Sequence, residues 1–63
     1  MTNHYTRKGQ ENLLIDLMVT AGKSVNPNIK YLSDYQLMLK INEYLAKLDL
    51  VPYTEEELEM ELN

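Results

Sequence analysis

Cysteine is absent from this 63-residue chain, so neither a disulfide nor a thiolate metal site can supplement its fold. Histidine is almost absent: His4 stands alone in a polar N-terminal run, and no metal site is expected from it. With no thiol, and with the one imidazole ahead of the first helix, no Ser/His/Asp or Cys/His arrangement is found. Glycine is scarce too, and neither Gly9 nor Gly22 opens a strand-to-helix turn, which excludes a phosphate-cradling loop. No apolar run approaches the length of a bilayer span, and the start Met1, Thr2, Asn3, His4, Tyr5 lacks the basic and apolar stretches of a secretion signal. The expectation is a cytoplasmic protein without cofactor, metal or membrane contact. A domain this small covers only a modest share of its own surface, so oligomerisation or a partner is the stabilising supplement left.

What is present is a helix-start signal used twice. Leu32, Ser33, Gln36 and Leu37 have the spacing of a capping box inside a hydrophobic staple, and Tyr53, Thr54, Glu57 and Leu58 repeat it. In each, the hydroxyl can accept from the amide three residues on, while the Gln or Glu there reaches back to the cap amide. Two helix beginnings are thereby placed.

The chain reads as one all-α domain, residues 1–63, built as a helical hairpin with helices at about 7–21, 34–49 and 55–62. In the first, Leu13, Leu14, Leu17, Met18 and Ala21 share an arc, and Gly22 is a natural left-handed stop. Gly9 occupies the position where a capping box would place Glu or Gln, so fraying before Gln10 is expected. Pro27 should turn the long connection of residues 23–33, leaving Val25, Ile29 and Tyr31 to plug the open end of the core. In the second helix, Leu37, Met38, Ile41, Tyr44, Leu45 and Leu48 make one broad apolar face, and Tyr35, Leu39 and Ala46 a second strip. A polar stripe of Gln36, Lys40, Glu43 and Lys47 lies between them, with Glu43 and Lys47 placed to pair. Val51 before Pro52 should end this helix. The third is short and acidic, with Leu58 and Leu62 on one face and Met60 to the side, and it must dock on something to persist.

Charge is distributed unevenly. Residues 1–30 carry Arg7, Lys8, Lys23 and Lys30 against Glu11 and Asp16, a balance of +2, whereas residues 31–63 stand at −6 within a net −4. Five Glu between positions 55 and 61 dominate the acidic half. They lack the alternating oxygen ligands and Gly turn of a calcium loop, and an exposed helix end offers no concave site for a hydrolytic carboxylate pair. Enzyme activity is therefore not expected. Nucleic acid is disfavoured by the overall charge, although a helix-loop-helix DNA binder using the four N-terminal cations is a distinct alternative.

The run Ser33, Asp34, Tyr35, Gln36, Leu37 bears a faint likeness to the Ser-Gln-Glu-Leu-Asp signature of the small two-helix sporulation phosphatases of the Spo-zero-E type. Only Ser33 coincides with it. The acidic residue that carries that family's chemistry has no counterpart, so no membership is claimed and no site is transferred.

These features favour a non-catalytic protein-binding module, a small bacterial or phage regulator or inhibitor that occupies a partner's surface. A self-associating structural protein is the alternative. The expected contact residues are Tyr35, Leu39 and Ala46 on the second helix, with Tyr53, Glu55, Glu56, Leu58, Glu59, Met60 and Leu62 from the acidic end. They would serve a partner of basic character, and a homodimer is expected through the same strip.

Overall fold

The computed structural model describes residues 5–62; His4 lies outside them. Among the described residues the fold is all-α, without strands: α1 (Arg7–Thr20), a 3-10 turn (Pro27–Tyr31), α2 (Asp34–Lys47) and α3 (Glu55–Leu58). The two longer helices pack against each other as the expected hairpin, and the C-terminal segment folds back onto it.

The core lies between α1 and α2. Leu14, Leu37, Met38 and Ile41 are fully buried, joined by Leu17, Met18, Ile29 and Leu45. Burying a side chain of this size stabilises by roughly 1.5–3 kcal/mol. Leu13, Ile15, Leu32, Tyr44 and Leu48 are half-buried and close the rim of this cluster.

α1 is helical from Arg7, ahead of Gln10. Thr6 caps it, accepting from the Gly9 amide at 3.1 Å. Arg7 then fastens the first turn to the rest of the fold, so the flexibility of Gly9 is overridden by tertiary contacts. The helix stops as the sequence indicates: Gly22 adopts φ +75°, the Lys23 amide donates to Met18 O at 2.8 Å, and the Gly22 amide to Val19 O at 3.0 Å.

The connection contributes less to the core than its apolar content suggests. Asn26 caps the 3-10 turn by accepting from the Asn28 amide at 2.9 Å, with Pro27 in the first position. At three residues per turn, Ile29 and Leu32 share its inner face. Ile29 is the plug; Val25 is 40% and Tyr31 77% exposed, the latter under the Lys30 ammonium 5.5 Å from its ring centre.

α2 starts on Ser33 with both bonds of the capping box formed. It ends at Lys47, earlier than Pro52 requires. Asp49 takes φ 58°, and the Leu50 amide donates back to Leu45 O at 2.8 Å, repeating the α1 stop with Asp in place of Gly. Glu43 pairs with Lys40 at 3.7 Å, not with Lys47, whose ammonium lies over the Tyr44 ring at 5.3 Å. Aromatic contact competes successfully with an exposed ion pair of small net value.

α3 also starts on a complete capping box, at Thr54, but spans only Glu55–Leu58 and does not reach residue 62. Glu59 and Glu61 would carry negative charge into the negative end of the dipole, and four residues recover little of the cost of nucleation.

Candidate interaction surface

At about 100° per residue, Tyr35, Leu39 and Ala46 fall within a narrow stripe of α2, beside the buried arc on its Met38 and Leu45 side. The fold leaves this stripe open. Tyr35 is 51% and Leu39 36% exposed, and Ala46 is exposed as well. Asn42, on the same stripe, is engaged within the fold, where its Oδ1 accepts from the Tyr53 amide at 2.6 Å.

That bond is one of several that hold the C-terminal segment against the two longer helices and Tyr5. The Tyr53 hydroxyl donates to Gln10 Oε1 at 2.6 Å, and its ring meets Tyr5 edge-on at 6.0 Å. Tyr5 in turn donates to the Glu57 carboxylate. Asp34 closes the far end, accepting from Arg7 Nη1 at 2.9 Å on one oxygen and from the Leu62 amide at 3.1 Å on the other. The remaining guanidinium nitrogens of Arg7 reach Glu11 at 2.7 Å and the carbonyls of Ile29 and Lys30 at 3.3 Å. A single carboxylate at the start of α2 thus links α1, α2 and the C-terminal segment.

The electrostatics reflect these bonds. The Leu62 amide, then the Arg7 guanidinium, hold the Asp34 carboxyl below its ordinary value. The Thr54 amide, helped by the Tyr5 hydroxyl, does the same for Glu57. The Tyr5 hydroxyl is pushed up by the carboxylate it donates to, and burial pushes the Tyr53 hydroxyl up.

This arrangement sorts the residues expected to meet a partner. Tyr53, Leu58 and Leu62 are half-buried and packed against the core, so their apolar surface is largely occupied within the fold. Met60 is half-buried; Glu55, Glu56 and Glu59 are exposed. Tyr35, Glu55, Leu58 and Glu59 come together around a shallow depression of about 240 Å³, which makes the acidic turn continuous with the α2 strip. Leu39 borders a second depression, of about 230 Å³, lined also by Leu32, Gln36, Lys40 and Glu43.

Three residues important to this geometry carry no obvious sequence signal. Gln10 is polar yet 5% exposed on a helix whose other buried positions are apolar. Arg7 reads as a free cation in the N-terminal charge cluster, and Asp34 as an ordinary first-turn acid. Only the Arg7 and Glu11 spacing of i, i+4 is a local hint.

Among the described residues no group of three or more His, Cys, Asp or Glu converges as a metal site requires, and no helix is long and apolar enough to cross a membrane. The chain matches no protein-family model, no curated protein and no solved structure.

Proposed function

We propose that this protein is a non-catalytic binding module that acts by occupying the surface of a basic protein partner. The supporting observation is the open line of Tyr35, Leu39 and Ala46 on α2, continuous with Glu55 and Glu59 of the acidic turn. An apolar strip edged by charge of one sign combines anchoring with steering: apolar burial slows dissociation, and the carboxylates speed encounter with a basic face. The short, acidic, cysteine-free chain suits a small regulator or inhibitor from a bacterium or its phage. A DNA-binding role is less well supported, because Arg7 is spent on Glu11 and Asp34 and leaves only lysines for phosphate.

Photo-crosslinking tests the proposal. With p-benzoylphenylalanine replacing Ala46, the reading expects one heavier adduct in a bacterial lysate, and none with the same group replacing Asp16 on α1. Glu55→Gln, Glu56→Gln and Glu59→Gln together should slow adduct formation and remove most of its salt sensitivity. An adduct of twice the protein's mass would instead identify a self-associating structural protein. Equal labelling from positions 16 and 46 would reject the strip as a binding surface.

A further inference from the structure

On the other flank of α2, a cleft of about 320 Å³ opens between that helix and the connection following α1. Its floor is apolar, formed by Met18, Ile29, Leu32 and Tyr44, of which the first two are buried. Two cations stand at its edge: Lys23, just past the α1 stop, and Lys40, on the polar stripe of α2. No Asp or Glu lines it, although the chain carries a net charge of −4. Lys23 makes no ion pair among the described residues, and Lys40 is held only by the loose contact to Glu43 at 3.7 Å, with both side chains more than half exposed. Such a pair exchanges readily for a better anion. Ser24 and Asn28 add a hydroxyl and an amide at the same edge. Lys40 and Tyr44 lie about 140° and 180° around α2 from Tyr35, so this cleft opens away from Tyr35, although Leu32 and Lys40 also line the depression that Leu39 borders.

We infer that this cleft binds a small amphipathic anion: a flat apolar body of about ten to fifteen non-hydrogen atoms with one carboxylate or phosphate head, a size suited to a cavity at the lower end of the ligand-binding range. The body would lie on Ile29, Leu32 and the Tyr44 ring. The head would sit between the Lys23 and Lys40 ammonium groups, where charge-assisted hydrogen bonds form.

Chemical-shift titration of the full chain tests this with four probes: phenyl phosphate, phenylacetate, benzyl alcohol and inorganic phosphate. The expected result is saturable shifts at Lys23, Ser24, Asn28, Ile29 and Tyr44 with at least one of the first two, the tighter of them identifying the preferred head. Benzyl alcohol and inorganic phosphate, which each lack half of the required chemistry, should bind at least about tenfold more weakly. The double variant Lys23→Gln/Lys40→Gln should lose about tenfold in affinity for the tighter probe, whereas Lys8→Gln on α1 should change nothing. Because all three lysines are exposed, the amide spectra of the unliganded variants should match the parent and exclude unfolding as the cause. No saturable shifts with either aromatic anion at millimolar concentration would overturn the inference. So would equal binding of benzyl alcohol or inorganic phosphate, or undiminished binding by the double variant.

Discussion

Ser33 and Thr54 make the same two bonds. Each hydroxyl accepts from the amide three residues on at 3.2 Å, and each cap amide donates back to the Gln36 or Glu57 side chain, at 3.1 and 2.9 Å. Yet one starts a helix of 14 residues and the other a helix of 4. The caps do not account for the difference; the residues beyond them do. After Ser33, Leu37, Met38, Ile41 and Leu45 recur at helical spacing and are buried against α1, so each added turn gains apolar burial. After Thr54, Leu58 and Leu62 are the apolar residues that pack against the core among those described, and Glu59 and Glu61 oppose the dipole. A capping box fixes where a helix begins, while tertiary burial decides how far it continues.

The largest expected effects separate the two regions by core truncation. Ile41→Ala removes a fully buried side chain and should cost about 2–5 kcal/mol, enough to threaten folding of so small a domain. Leu58→Ala, at a half-buried position on the rim, should cost about 1 kcal/mol or less. Denaturant unfolding followed by circular dichroism measures both. Similar losses would mean that the C-terminal segment belongs to the core on equal terms with α2.

Next comes the cap itself. Ser33→Ala should lower global stability by about 1 kcal/mol, because α2 organises the fold. Thr54→Ala should leave the global midpoint nearly unchanged and speed hydrogen exchange at Glu57 and Leu58. Equal shifts in melting temperature would break the comparison, since α3 would then unfold with the hairpin as one unit.

The two helix stops allow a parallel test of opposite sign. α1 ends on Gly22 and α2 on Asp49, both with positive φ. A β-carbon is disfavoured there, and the Asp49 carboxylate also sits at the negative end of the α2 dipole. Asp49→Gly should therefore raise stability by about 0.5–1 kcal/mol, measured as a shift of the denaturant midpoint at constant slope.

The sequence makes the hairpin legible because its signals are local: two capping boxes, a Gly stop, and apolar residues at helical spacing. The open strip of Tyr35, Leu39 and Ala46 is legible for the same reason, as one helix displays two apolar arcs. Elements that depend on distant partners are not. Arg7 and Asp34 are 27 residues apart, Tyr53 and Gln10 are 43 apart, and nothing in the intervening chain announces either contact. The extent of α3 fails similarly, since it is limited by what it can bury, whereas α2 ends within two residues of the expected bound. Val25 and Tyr31 read as core because they are apolar, but the period of a 3-10 turn brings only Ile29 and Leu32 inward.

The smallest effect expected on global stability is also the most specific to the C-terminal segment, its release by acid. Asp34 and Glu57 both have carboxyls held below their ordinary values of 3.8 and 4.5, so their contacts favour the charged forms. Folded-state values below unfolded ones mean that the stabilisation is fully present above the ordinary range and is lost as pH falls through the depressed values. Protonated Glu57 is a poorer acceptor for the Thr54 amide and the Tyr5 hydroxyl, and protonated Asp34 for Arg7 and the Leu62 amide. Acidification below about pH 4 should therefore free residues 53–62 while the Leu14, Leu37, Met38 and Ile41 cluster remains packed. Protection of the Leu62 amide, relative to its intrinsic exchange rate at each pH, should fall, and so should the near-ultraviolet signal of Tyr5 and Tyr53, before helical circular dichroism declines. In Asp34→Asn the acid dependence of Leu62 protection should shrink to the part that Glu57 contributes, because the neutral amide has no proton to gain in this range. Simultaneous loss of the tyrosine and helical signals would show that the clamp and the hairpin are one cooperative unit.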